Sequence, residues 1–143
     1  MSLSESTVRE LRTEAEIRAS FNVMKELRPQ LVEHDYTTQV QRMMQQGYRL
    51  LSLGDPESVA VAGFRLSESL AFGKFLYVDD LVTRDGQRSQ GAGRKLLARL
   101  REIARAEGCR ELHLDSGVQR HAAHRFYLRE RTDITCFHFR EIL

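Results

Sequence analysis

The run Arg88-Ser89-Gln90-Gly91-Ala92-Gly93 carries the residue types of an anion site. It reads R-x-x-G-x-G and stands between a strand-like run, Phe75 to Thr83, and an amphipathic helical pattern, Gly91 to Glu107. Glycines let a backbone approach a ligand closely and adopt turns that other residues resist. A helix that starts among them turns several free N–H groups and a positive dipole end outward. Phosphate or pyrophosphate is the natural occupant of such a place, and Arg88 adds a permanent charge. Two adjacent carboxylates, Asp79 and Asp80, lie near the end of the preceding strand-like run. Strand alternation would send them to opposite sides of a sheet, so at most one should enter a site there. His113, His121, His124 and His138 match no common zinc spacing, and no metal is expected.

The elements that must position these residues follow from the apolar pattern. Val8 to Leu11 reads as a short strand. Ile17, Phe21, Met24 and Leu27 recur at helical spacing over Glu14 to Leu27, and Pro29 ends or kinks that helix. Asp35 or Thr37 is placed to cap a second helix with Val40, Met43 and Met44 inward. Tyr48 to Leu53 and Val59 to Leu66 read as paired strands joined by Gly54-Asp55-Pro56-Glu57, and Ser67 to Ala71 as a connection to a long strand, Phe72 to Thr83. Leu96, Leu97, Leu100, Ile103 and Ala104 share one face of the next helix, which Gly108 is placed to end. A strand at Glu111 to Asp115, a helix at Gln119 to Arg129 and a closing strand at Ile134 to Arg140 complete the order β-α-α-β-β-β-α-β-α-β. Three strands in succession imply antiparallel pairing. The strand–helix–strand unit from Phe75 to Asp115 implies a right-handed parallel crossover. The fold class is therefore α/β, of the α+β mixed-sheet kind, with helices packed on the sheet.

The bulk properties set limits. At 143 residues the chain fits one domain, 1–143, with a real core. Its 41% hydrophobic and 29% charged content is that of an ordinary globule, and the formal charge of +2 makes it no general polyanion binder. Basic residues do cluster from Arg84 to Arg110, but no base-reading motif accompanies them, so no nucleic-acid partner is expected. There is no apolar segment near the ~18 residues of a membrane span and no signal peptide with an apolar core, so no membrane partner is expected and the cytoplasm is the expected location. Cys109 and Cys136 have neither metal nor disulfide-framework spacing and read as small buried residues in a reducing compartment.

With these elements in order, the chain from about Thr7 to Leu143 resembles the GNAT superfamily of acetyl-CoA-dependent N-acetyltransferases. Two regions carry the resemblance. The family's phosphate-binding pattern, Arg/Gln-x-x-Gly-x-Gly/Ala, stands as Arg88, Gly91 and Gly93, after a strand ending Leu81-Val82-Thr83. The family's later Ala-x-x-aromatic-Tyr helix element stands as Ala123-His124-Arg125-Phe126-Tyr127. The stretch Arg120 to Glu130 is similar to that of aminoalkylphosphonate and other small-amine N-acetyltransferases. Three positions depart: Ser89 replaces a common glycine, Arg120 replaces an asparagine that often contacts the cofactor, and Arg131-Thr132 replaces a Gly-aromatic pair after the helix.

The resemblance implies a site. Acetyl-CoA would be the co-substrate, with its pyrophosphate on Arg88, Ser89, Gln90, Gly91, Ala92, Gly93 and Arg94. Its pantetheine arm would run along the backbone of Leu81, Val82 and Thr83, which the family uses as an edge opened from its neighbour. Asp80 would act as the base toward the attacking amine or as the carboxylate that binds it. Tyr127 would return a proton to the departing thiolate. Glu26, Arg28, His34, Tyr36 and Tyr77 are candidates for acceptor recognition. The implied reaction is direct acetyl transfer to a primary amine of a small molecule, aminophosphonate-like or amino-acid-like. Acetylation of a protein or aminoacyl-tRNA amine and a non-catalytic acyl-CoA-binding sensor are the alternatives. A homodimer is also considered, with the C-terminal strand pairing or packing between chains.

Overall fold

A computed structural model describes residues 7–88 and 90–143. The chain divides into two compact units, Met1–His113 and Leu114–Leu143. In the first, β1 (Val8–Leu11) leads into α1 (Glu14–Ala19), α2 (Phe21–Leu27) and α3 (Glu33–Met44). Then come β2 (Arg49–Leu53), β3 (Ala60–Ser69), β4 (Gly73–Thr83) and α4 (Ala92–Ala106), and β5 (Glu111–Leu114) runs up to the boundary at His113 and one residue past it. The strands form one sheet in the order β1-β2-β3-β4-β5. The first four pair antiparallel, and β5 lies parallel to β4 after the α4 crossover. The mixed sheet with flanking helices expected from the apolar pattern is the fold observed.

Two residues set the shape of the first helices. Thr13 starts α1 with a reciprocal cap: its hydroxyl accepts from Glu16 N–H at 3.2 Å, and the Glu16 carboxylate accepts from Thr13 N–H at 2.9 Å. The single helix expected over Glu14 to Leu27 is broken at Ser20, whose backbone N–H turns to Ile17 O and whose buried hydroxyl donates to the same carbonyl at 2.6 Å. A serine that bonds its own backbone competes with the helical ladder. The second helix starts at Glu33 with Val32 as a cap that offers no side-chain bond, so neither Asp35 nor Thr37 caps it.

The sheet is covered on both faces. On one, Leu11, Leu50, Val61 and Val82 join Ile17, Phe21, Met24, Tyr36, Val40 and Tyr48 in a single buried cluster beneath α1, α2 and α3. The alternate positions Leu51, Leu53, Ala60, Ala62 and Phe64 are buried too, and α4 packs on β1 to β4 with Leu96, Leu97, Leu100 and Ile103 buried. Strands buried on both faces need continuous apolar runs, which β2 and the first half of β3 have. The expected connection at Ser67 to Ala71 is shorter: β3 runs on to Ser69, and Ser69 Oγ accepts from Phe72 N–H at 3.1 Å to close the turn.

The second unit holds α5 (His121–Arg129), the segment that leads into it and the stretch that follows it. The expected closing strand at Ile134 to Arg140 is not formed; residues 132–143 have no regular secondary structure. Its alternation is strand-like, but a strand exists only where a neighbour takes its backbone hydrogen bonds. Ile134, Phe137, Phe139, Ile142 and Leu143 are all exposed.

Candidate active site

The glycine loop sits where the sequence places it, between β4 and α4. Gly91 is the residue before the helix and adopts φ 85°, the left-handed region that favours glycine. Among the described residues, nothing other than its chain neighbours lies within 4 Å of where a Cβ would stand on it. The helix has no side-chain cap, and its first-turn N–H groups therefore point out of the helix end. Ala92 is buried, Gly93 and Arg94 lie in the first turn, and Gln90 is exposed in the loop. Ser89 lies outside the described residues.

The Arg88 guanidinium has partners on three sides of the loop. Its Nε donates to Thr83 O at 3.1 Å, Nη2 lies 3.5 Å from Glu26 Oε1, and Nη1 lies 3.8 Å from Asp85 Oδ1. Glu26 also accepts from Asp85 N–H at 2.8 Å. The guanidinium thus turns back on the loop and ties it to the end of β4 and to α2.

The strand that leads into the loop has one side paired and one side short of a partner. Leu81, Val82 and Thr83 lie opposite Ala62, Val61 and Ala60 of β3. On the other side, β4 and β5 begin together, with Arg110 N–H donating to Lys74 O at 2.8 Å. β5 has only four residues against eleven in β4. Among the described residues, no strand therefore continues along the outer side of Leu81 to Thr83.

Asp79 and Asp80 are not a simple alternating pair. The register shifts at Gly63/Phe64, with Gly63 opposite Asp80 and Phe64 opposite Val78, so Asp79 is the extra residue of a bulge. Its carboxylate is held along the sheet by both Nε and Nη2 of Arg65 on β3. The expectation of opposite faces assumed an unbroken strand. Asp80 is held elsewhere: Oδ1 accepts from Arg28 Nε at 3.0 Å, and Oδ2 accepts from the Tyr48 hydroxyl at 2.7 Å. Arg28 Nη2 also donates to Asp79 O at 2.8 Å. Tyr48 is buried; burial above all, then the Asp80 charge, pushes its phenol well above the usual tyrosine value, so it stays a donor.

Tyr48 and Gly63 escaped the reading of the sequence. A Cβ built on Gly63 would overlap the Tyr48 hydroxyl and Cζ and come within 2.7 Å of Cε1, so only glycine leaves room for Tyr48 to reach Asp80. A glycine inside a strand pattern marks a bulge or a close approach, which was the available signal. Among the other acceptor candidates, Tyr36 is buried with its hydroxyl 2.8 Å from Ser20 Oγ, which makes it a core residue. His34 pairs with Asp35 at the surface, and Tyr77 lies opposite Arg65.

In the second unit, Tyr127 is the buried residue of α5. Burial raises its pKa, while the Arg120 guanidinium, which hydrogen-bonds its side chain, pulls the other way. Arg120 thus has a partner within its own unit. The Arg131-Thr132 departure leaves the helix end intact: Arg131 takes φ 67°, its N–H donates to Leu128 O, and Thr132 N–H donates to Tyr127 O. His124 Nε2 lies 2.7 Å from Gly117 O, and His138 pairs with Asp115. The cysteines are free, but Cys109 is partly exposed and Cys136 exposed, not buried as expected.

Comparison with known proteins agrees with this arrangement. A family model described as acetyltransferase (GNAT) family matches residues 14–131. The chain is 34% identical over 122 residues to the uncharacterized N-acetyltransferase YhdJ of Bacillus subtilis (strain 168), covering 84% of this chain and 86% of that protein. Its fold is similar to that of an acetyltransferase of Trypanosoma brucei, with a TM-score of 0.79 at 20% identity over 97% of this chain and 100% of that one. It is also similar in fold to the aminoglycoside N-acetyltransferase AAC(6')-Iy solved in complex with CoA, with a TM-score of 0.77 at 13% identity over 96% of each chain. A glycine-opened helix start after an edge-exposed strand, in a sheet of this order, and a family match across most of the sequence lead to one assignment: the chain belongs to the acetyltransferase (GNAT) family of N-acetyltransferases.

Proposed function

We propose that the chain, acting as one acetyltransferase domain, moves acetyl from acetyl-CoA to the primary amine of a small molecule. The observation that carries this reading is the start of α4, where Gly91, in the left-handed region, precedes a helix end without a side-chain cap in the loop that follows β4. Backbone N–H groups of Gln90 to Arg94 would take the diphosphate, with Ser89 in the same loop and Arg88 holding the loop in shape. The outer edge of Leu81, Val82 and Thr83 would take the amide groups of the pantetheine arm. That arm brings an extended strand-like set of donors and acceptors to an unpaired strand edge.

The chemistry needs few groups. The amine nitrogen bonds to the thioester carbonyl carbon, the C–S bond breaks, and the sulfur leaves as a thiolate. In this reading Asp80 receives the amine and its proton, and Tyr127, kept neutral by burial, gives its proton to the thiolate. No covalent acyl-enzyme is required. The test is direct. Calorimetry should detect acetyl-CoA binding, and a free-thiol assay over amino acids, aminophosphonates, polyamines and aminoglycosides should detect turnover with one class. Binding without turnover on any amine, proteins and aminoacyl-tRNA included, would favour a sensor over an enzyme. We place the protein in the cytoplasm, where acetyl-CoA is made and where the free Cys109 and Cys136 stay reduced.

The same reading includes a second copy of the chain as partner. Ile134, Phe137, Phe139, Ile142 and Leu143 are all exposed, on a strand-patterned stretch with no strand partner among the described residues. Side chains of this size offer together several hundred Å², the order a dimer interface buries per partner (about 800 Å²). The outer edge of β5 carries no further strand among the described residues and is the surface such a stretch of a partner would extend. Light scattering after gel filtration should give a dimer mass, and Phe137→Asp with Phe139→Asp should give a monomer. A wild-type monomer at tens of micromolar would overturn the dimer alone.

A further inference from the structure

We infer that Arg28 and Asp80 form a two-sided acceptor subsite for an amine that also carries an anionic group. The inference rests on the acetyltransferase reading and adds to it which end of the acceptor each residue takes. The site is built by register. Leu11, Leu50, Gly63 and Asp80 lie opposite one another across four strands. Leu11 and Leu50 are core; the row loses its side chain at Gly63 and ends on a carboxylate. Tyr48 passes over the bare Gly63 backbone and fixes Oδ2 of Asp80. Arg28, just past the end of α2, fixes Oδ1.

Charge and exposure decide what this pair can receive. The Asp80 side chain is 13% exposed and that of Arg28 is 43% exposed. Each Asp80 oxygen accepts one side-chain donor, which leaves it further acceptor capacity for an amine. Nε and Nη2 of Arg28 are engaged, while Nη1 has no partner among the described residues. The pair has no net charge but a fixed separation of charge. A plain cation would meet Arg28 with the wrong sign, and a plain anion would meet Asp80 so. A molecule with an amine at one end and a carboxylate, phosphonate or phosphate at the other satisfies both, and guanidinium geometry suits each of these anions. Tyr48 is a positioning residue: it aims the carboxylate and touches no part of the acceptor.

The test compares matched acceptors, an amino acid or aminoalkylphosphonate against the same amine without its acidic group, in the intact protein. The wild type should prefer the acid-bearing amine in kcat/KM by roughly tenfold to a hundredfold, the size of one hydrogen-bonded charge contact. Arg28→Met should erase that preference, and Arg28→Lys should keep part of it. Tyr48→Phe should lower kcat for both acceptors and leave their ratio unchanged. Acetyl-CoA affinity measured by calorimetry should stay at the wild-type value in all three variants, which also reports that they fold. A wild type without the preference, or an Arg28→Met protein that retains it, overturns the subsite. Loss of acetyl-CoA binding by the wild type would overturn the acetyltransferase reading instead.

Discussion

Gly108 and Arg131 hold the same place in the same helix-ending motif, one after α4 and one after α5. Gly108 has φ 76° and Arg131 φ 67°. Cys109 N–H donates to Ala104 O and Gly108 N–H to Arg105 O; Thr132 N–H donates to Tyr127 O and Arg131 N–H to Leu128 O. Both are Schellman endings, in which the residue just past the cap turns left-handed. A non-glycine residue is disfavoured there. Arg131→Gly should therefore raise stability by about 0.5–1 kcal/mol, part of the steric gain being offset by a freer unfolded chain. Urea unfolding would show it as a higher midpoint at constant slope; a lower midpoint would mean that the arginine side chain contributes more than its backbone strain costs.

Gly91→Glu should remove acetyl-CoA binding, because it forces a side chain into a left-handed turn and places a carboxylate at the helix start proposed for the diphosphate. The fold should persist, since a Cβ on Gly91 meets no described residue beyond its chain neighbours. Calorimetry together with circular dichroism would check both halves. Wild-type affinity in this variant would show that the coenzyme docks elsewhere.

Tyr127→Phe should reduce kcat by roughly a hundredfold, the usual worth of a positioned general acid, with little change in acetyl-CoA affinity. Burial raises the Tyr127 pKa, and the Arg120 cation lowers it by stabilising the phenolate. Arg120→Met should consequently move the alkaline limb of the kcat profile to higher pH. A limb that stays in place in Arg120→Met, or a Tyr127→Phe enzyme of wild-type rate, would remove the tyrosine from the proton-transfer role.

Tyr36 makes stability sensitive to alkali. Burial pushes its phenol up to about 12, whereas in the unfolded chain it titrates near 10. The folded state thus keeps a proton that the unfolded state releases. Its stabilising contribution is complete below about pH 10 and is lost as pH rises from there through about 12, on the order of 2–3 kcal/mol in all. Tyr48 acts in the same direction. Urea midpoints measured from pH 9 to 12 should fall, and Tyr36→Phe should flatten the fall while lowering stability at neutral pH through loss of the Ser20 bond. An equally steep fall in that variant would assign the sensitivity to other groups.

Local rules account for much of this molecule. The glycine loop, the helix after it and the end of that helix at Gly108 could be read from the residues themselves, because a left-handed turn, an apolar stripe at 3.6-residue spacing and a helix stop each depend on neighbours in the chain. The strand-rich middle was legible for the same reason. What tertiary structure decided depends on partners distant in sequence. Ser20 breaks a helix that its pattern predicts to be continuous, with Tyr36 holding its hydroxyl. Ile134 to Arg140 has the alternation of a strand and, among the described residues, lacks the neighbour that would make it one. Gly63, Tyr48, Arg28 and Asp80 come from four separate elements or their flanks, and only the register of the sheet, shifted by one bulge, sets them within reach of one another. Spacing along a chain encodes helices and turns; contacts across a sheet are set by which strands pair and in what phase.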